Sequence, residues 1–594
     1  MLKLFAIMLA VCAFGCRGVE AQVPAAGSVP AAPPTEFARF LDDSYRTLLA
    51  RYPEAATQFG LSAWAGLDDT VLDGLSAEYL AETARLERAA LAALEAIDMG
   101  GLSEADRLSA DVYRTYLESA VRLQAFPERD FLVNPTVFGV AYAIEGLFIE
   151  IHPLDTADGV RSYAARLNAL GAKLAEAADS LERREAAGWI APRIVLGAAL
   201  ADLEALSYGT ARDNPFYQRL EDALSAVAGL TADEKAALLA GAARAVESEI
   251  IPGYARLVSI VSGQRGRAPT EPGLWRQPGG VEYYAELLRY KTMTDLTPAE
   301  VHAMGLKALE RIHADIRTAA ARIPGAPTGD AASIVTWVFN RTGGVRPAQA
   351  VAEYKRILAA AIERAKPLLP LYPAAPVDVR TAPQGGYYQP GPIDGSRPGV
   401  FYVSESQGAW KAAMPTLVHH ETVPGHHVQI AIAHELPLPV ARKVLSFEAY
   451  AEGWALYSER LMAELGAYRD DPAGDIGRLQ YEAFRAARLC VDTGVHAMKW
   501  TFEQAVDFMI SQGCIDPGFA RNEVMRYASI PAQATTYYVG FLTMLDLRDR
   551  AMKALGPRFD LGAFHATVLG CGSVPLSVLR QVVENWIAAE KAKP

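Results

Sequence analysis

The chain has 594 residues, 51% hydrophobic and 21% charged, with a formal net charge of −12, 10 histidines and 5 cysteines. An acidic balance without a basic run excludes nucleic-acid binding and polybasic attachment to membranes, and so few cysteines exclude a disulfide framework. The length suffices for a large core or several lobes.

At the N-terminus, Met1-Leu2-Lys3 precedes an apolar run from Leu4 to Cys16. One positive charge followed by a run too short to span a bilayer predicts a secretory signal over residues 1–21. Ala13-Phe14-Gly15-Cys16 resembles a bacterial lipobox with Cys16 as the lipidated residue, while Val19-Glu20-Ala21 before Gln22 suits ordinary cleavage. The expected location is therefore the periplasm or a lipid anchor on the bacterial envelope. Residues 22–35, rich in Ala and Pro, read as a tether. No later segment offers about 18 uninterrupted apolar residues, so a soluble body is expected. Cys490, Cys514 and Cys571 then remain, an odd number best read as buried apolar thiols with at most one bridge.

From residue 36 to about 260, apolar residues recur every three to four positions among Ala, Leu, Glu and Arg, which predicts amphipathic helices. Ser103…Asp106, Thr231…Glu234 and Thr297…Glu300 are helix-start signals. Near residue 367 the pattern gives way to Pro and Gly, flanked by strand-like Val377–Arg380 and Val400–Val403, and helical periodicity resumes at about Lys411. With no repeat and no evident linker, residues 36–594 read as a single, mainly α catalytic domain. It is expected to be large and two-lobed, with a small β element before the active-site helix.

That helix carries His419-His420-Glu421-Thr422-Val423-Pro424-Gly425-His426-His427, four of the chain's 10 histidines. Downstream lies Glu448-Ala-Tyr-Ala-Glu452-Gly-Trp-Ala-Leu-Tyr-Ser-Glu459. A His-Glu pair, a further His and a distal Glu are the parts of a two-His, one-carboxylate zinc hydrolase. The usual spacing of two histidines one turn apart is absent. In a regular helix His420 and His426 would be separated by about 600° and roughly 9 Å, so the helix must be irregular, and Pro424-Gly425 supplies the means. His420/His426 is the first-ranked ligand pair, His420/His427 the second, with His419 orienting a ligand or binding substrate. Glu448, Glu452 and Glu459 share one helical face. Glu452 is the best third ligand and Glu448 a substitute or an orienter of an imidazole; the plain alternative is a solvated acidic edge beside Arg442, Lys443 and Arg460.

His420–Gln429 with Glu452–Glu459 resembles the bacterial DUF885 family. Asp394–Tyr402, Asp492–His496, Arg526–Gln533 and Phe564–Leu576 carry the same resemblance, so the motif-bearing part is about residues 385–580. Where members often have Pro-Gly-Gln, this chain has Pro531-Ala532-Gln533. The resemblance implies a helical relative of zinc carboxypeptidases and oligopeptidases.

The expectation is one zinc ion per chain, held by His420, His426 and Glu452, with Glu421 as general base and a short peptide as substrate. His496, Tyr527, Tyr537 and Tyr538 are candidate donors to the oxyanion. Arg397, Arg488 and Arg526 are candidate clamps for a substrate carboxylate. The strand around Tyr402 is expected to add an extended substrate at its edge. The same ion and base would serve another amide or an ester, and a non-catalytic metal-bearing envelope protein is the remaining alternative.

Overall fold

The computed structural model describes residues 34–594 apart from 383–384, 394, 396 and 407. The signal peptide, the lipobox Cys16 and most of the tether lie outside the described residues. The start signals act as expected. The Ser103 and Thr231 hydroxyls accept the amides of Asp106 (3.1 Å) and Glu234 (3.2 Å). Thr297 completes a capping box, Glu300 accepting the Thr297 amide at 2.8 Å.

Eight helices matter for the site: α1 (Gly280–Thr292), α2 (Pro298–Ala320), α3 (Met414–Glu421), α4 (His426–Glu435), α5 (Glu448–Glu464), α6 (Pro472–His496), α7 (Pro517–Ser529) and α8 (Thr536–Leu555). The molecule is mainly α, as expected. Its buried apolar side chains form one continuous cluster from Phe37 to Val583, and polar bonds cross from the early helices to the late ones. Asp42 accepts the Ala441 amide at 3.0 Å. The fully buried Arg442 donates to the Ser109 hydroxyl (3.0 Å) and the Cys571 carbonyl (2.6 Å).

Helix α5 lies directly on α8. A Cβ on Gly540 would stand 1.8 Å from the Ala449 carbonyl oxygen, and one on Gly453 only 2.5 Å from the Gly540 backbone. Two glycines facing each other let the helices touch backbone to backbone, which brings the α5 face bearing Glu452 against the start of α8.

Among the described residues the larger of two small sheets has three strands: β1 (Val377–Ala382), β2 (Tyr387–Gln389) and β3 (Gly399–Ser404). Strand β3 is central, parallel to β1 and antiparallel to β2. Tyr402 therefore cannot offer a free edge: its strand is paired on both sides, and its ring stacks on Tyr387 at 5.2 Å. The edges belong to the outer faces of β1 and β2. The three cysteines are buried and free.

Candidate metal centre

Helices α3 and α4 are one helix interrupted. The chain leaves helical geometry at Thr422 (φ −119°, ψ −100°), passes a cis Val423–Pro424 bond and restarts at His426. The break is sharper than a bulge. Gly425 is required, because a Cβ there would lie 1.9 Å from the His420 carbonyl oxygen and 2.5 Å from that of His419. Trp454 of α5 holds the turn by donating its indole N–H to the Pro424 carbonyl at 2.8 Å.

The break turns His426 back onto His420, their rings nearly perpendicular with centroids 4.8 Å apart. Oε2 of Glu452 lies 3.5 Å from Nε2 of His420 and 3.4 Å from Nε2 of His426. One ligand atom from each of the three residues lies within 4.8 Å of the others, and all three side chains are buried. Both nitrogens of His426, Oε2 of Glu452 and Oε2 of Glu421 are buried without a hydrogen-bond partner among the described residues. Orphaned polar atoms are costly in an interior, and here they converge as a two-imidazole, one-carboxylate donor set of the kind zinc takes.

Electrostatics follow from that crowding. Burial opposes charge on His420, but the nearby carboxylates of Glu452 and Glu459 outweigh it and raise the imidazole to about 9. Burial pushes Glu452 upward, yet the two imidazoles bring it below the usual carboxylate range. Glu421 is held above its ordinary value by burial, against the attraction of His420 and His426.

Several expected partners are engaged elsewhere. His427 faces away from His420: its Nδ1 meets the Tyr388 hydroxyl at 2.9 Å, and burial lowers it to about 4. His419 meets the Tyr468 hydroxyl at 3.1 Å and orients no ligand. Glu448 is neither substitute ligand nor orienter, because it forms a buried ion pair with Lys291 of α1 at 2.5 Å. The orienting carboxylate is Glu459, whose Oε1 lies 2.9 Å from Nδ1 of His420. Because Glu448, Glu452 and Glu459 are all buried, the acidic-edge alternative does not hold.

The oxyanion candidates divide similarly. His496 spends both ring nitrogens on backbone, accepting the Leu274 amide (3.2 Å) and donating to the Tyr527 carbonyl (3.0 Å). Tyr538 donates to Glu482 (3.2 Å) and accepts from Arg311 (3.1 Å). Tyr527 donates to Glu523 (2.7 Å) and accepts from Arg488 (3.1 Å). Tyr537 feels the centre: burial first, then the charge of Glu452, lifts its hydroxyl to about 12. Among the arginines, Arg526 is committed to Glu523 through two contacts (3.2 and 2.9 Å) and to Gln533 at 2.6 Å. Arg397 is exposed beside the sheet, near Tyr388 and Tyr402.

Tyr481 and Arg485 of α6 were not anticipated. Burial raises the Tyr481 hydroxyl, and among the weaker influences on it are the charges of Arg485, Glu459 and Glu421. The signal was present in sequence, since Tyr481, Arg485 and Arg488 recur at i, i+4 and i+7, one face of a helix. A separate cavity of about 220 Å³ among the early helices reaches Lys291 and Gln533.

A family model described as bacterial protein of unknown function (DUF885) matches residues 53–583. No curated protein matches. The crystal structure of a candidate lipoprotein from Colwellia psychrerythraea superposes with a TM-score of 0.87 at 27% identity, over 93% of this chain and 99% of that one. A candidate lipoprotein of unknown function from Shewanella oneidensis gives a TM-score of 0.72 at 21% identity, over 92% of this chain and 99% of that one.

Proposed function

The chain belongs to the DUF885 family of bacterial proteins, and from that premise we propose that it is a zinc-dependent peptidase acting on short peptides. The observation that carries the reading is the convergence of His420, His426 and Glu452, with orphaned buried atoms on His426 and Glu452, beside the unpartnered carboxylate oxygen of Glu421. Bound by those three side chains, zinc would supply a Lewis acid and a water of lowered pKa.

The chain's own residues do the rest. Glu459 keeps the His420 proton on Nδ1, so that Nε2 presents its lone pair to the centre. Glu421 is next to a ligand in sequence and held above the ordinary carboxylate range by burial. It takes a proton from the attacking water on Oε2 and returns it to the leaving amine. Tyr537, whose hydroxyl feels the charge of Glu452, and Tyr481, whose hydroxyl feels Glu459 and Glu421, are the candidate donors to a developing oxyanion.

The lipoproteins with which the chain shares its fold, together with the apolar leader and Cys16, support an exported protein, periplasmic or lipid-anchored. Among the described residues no helix is long and apolar enough to cross a membrane.

Digestion of a mixed library of short peptides, followed by mass spectrometry, tests the activity. Metal-dependent products from the wild type that vanish in a zinc-replete Glu421→Gln variant are expected. Equal products from the variant would remove Glu421 from the mechanism, and no products from the wild type would end the peptidase reading.

A further inference from the structure

Helix α6 presents Tyr481, Arg485 and Arg488 on one face, and both guanidinium groups are almost wholly buried, the residues 5% and 6% exposed. Arg485 holds Nη2 3.9 Å from Oε1 of Glu459, the carboxylate that orients His420, and its Nε has no hydrogen-bond partner among the described residues. Arg488 gives Nε to the Tyr527 hydroxyl (3.1 Å) and Nη2 to Glu523 (3.0 Å), while its buried Nη1 has no partner among the described residues.

The ion pairing is incomplete as well. Oε2 of Glu523 serves both Arg488 and Arg526, at 3.0 and 2.9 Å. Shared in this way, Glu523 satisfies neither guanidinium fully, and Nη1 of Arg488 and Nε of Arg485 remain buried donors without partners among the described residues. Each is expensive unless an anion completes it.

Both arginines border the metal centre, Arg485 through Glu459 and Arg488 through Tyr537. The Arg488 guanidinium is packed between Phe484 (4.1 Å from its centroid) and Tyr537 (4.6 Å). The Tyr537 hydroxyl feels Glu452 and Arg488 together, and the Tyr481 hydroxyl feels both arginines, Glu459 and Glu421. Arg485 abuts the Glu459–His420 pair, and Arg488 lies three residues farther along the helix, a rise of about 4.5 Å.

We propose that Arg488, assisted by Arg485, anchors the free α-carboxylate at the C-terminus of the substrate, which makes the protein a carboxypeptidase. The inference rests on the peptidase reading above. Guanidinium and carboxylate are matched planar partners, and an acidic side chain offers the same carboxylate, so the test separates the two sources.

The probes are short peptides made as free acids and as C-terminal amides, with neutral or acidic last residues. They are compared by kcat/KM on the zinc-loaded wild type and by calorimetric binding to zinc-loaded Glu421→Gln. The free acid is expected to be preferred by at least about tenfold in both measurements, the worth of one charge-assisted hydrogen bond. The preference should collapse towards unity in Arg488→Gln and survive in part in Arg488→Lys, at unchanged zinc content and circular dichroism. The wild-type comparison stands even if both variants misfold. Equal binding of acid and amide overturns the anchor even where peptides are cleaved, leaving the peptidase reading intact. A preference that follows acidic side chains regardless of the terminus overturns the terminal assignment. Acid-selective binding without hydrolysis of any peptide overturns the peptidase reading, and the carboxypeptidase with it.

Discussion

Oε1 of Glu459 lies 2.9 Å from Nδ1 of His420, and its other oxygen accepts the hydroxyl of Thr416. The carboxylate, fixed at both oxygens, sets the tautomer of the imidazole and makes its far nitrogen the better donor to a cation. Partners of this kind usually matter to metal affinity by about 10–100-fold. Glu459→Ala should weaken zinc binding by that factor and Glu459→Gln, which keeps an acceptor oxygen, by about tenfold or less. Titration against a competing chromophoric chelator reads both. Wild-type affinity in Glu459→Ala would show that His420 needs no orienting partner.

Gly425 stands where any side chain meets backbone, the Cβ position being 1.9 Å from the His420 carbonyl oxygen. Since His426 follows immediately, relief of that clash must displace a proposed ligand. Gly425→Ala should lose at least about 2 kcal/mol of stability, at the upper end for overpacked sites, and zinc affinity with it. Thermal unfolding with and without zinc measures both; a variant of normal stability that still binds zinc would show that the turn can move without the ligand.

How much of this could be read in advance varies by residue. His420, Glu421, His426 and Glu452 stand out because chemistry-bearing residues cluster in sequence, and Pro424-Gly425 announces the break that joins them. Glu448 and Glu459 share a face with Glu452, but spacing cannot say what lies opposite. Lys291, 157 residues away, claims one, and His420 claims the other. His496 misleads for the same reason, its partner Leu274 being 222 residues distant. Strand-like Val400–Val403 is legible as a strand, yet its central place in the sheet depends on the pairing of segments that alternation does not order.

Ala532 occupies the left-handed region at φ +67° with its side chain fully buried. That conformation costs an L-residue about 1–2 kcal/mol. Replacement by glycine would recover it but lose roughly 0.8 kcal/mol of buried methyl and about 0.4–1 kcal/mol to a freer unfolded chain. The terms nearly cancel, so Ala532→Gly should lie within about 1 kcal/mol of wild type, which explains how the turn keeps its shape without glycine. Ala532→Val, branched at the wrong φ in a full interior, should cost at least about 2 kcal/mol. Denaturant midpoints of the two variants decide it, and equal tolerance of both would mean the turn relaxes.

Asp492 receives the Tyr284 hydroxyl at 2.6 Å and the Ala532 amide at 3.0 Å, with the Tyr284 and His496 rings packed 5.2 Å apart beside it. Burial nevertheless raises its carboxyl to about 7, overcoming the Tyr284, Ala532 and Arg526 contributions that favour ionisation. In the unfolded chain the group ionises near pH 3.9, at the ordinary value of about that size. Between about pH 4 and pH 7 the folded protein therefore holds a proton the unfolded chain has lost, and raising the pH across that window removes stability, by at most about 1.4 kcal/mol per unit. Asp492→Asn keeps an acceptor for Tyr284 and Ala532 and carries no charge to desolvate. Its stability relative to wild type should thus improve steadily from pH 5 to pH 7 and level off above. Urea unfolding of both proteins across that range measures the difference; a difference independent of pH would mean that Asp492 is ionised in the fold throughout.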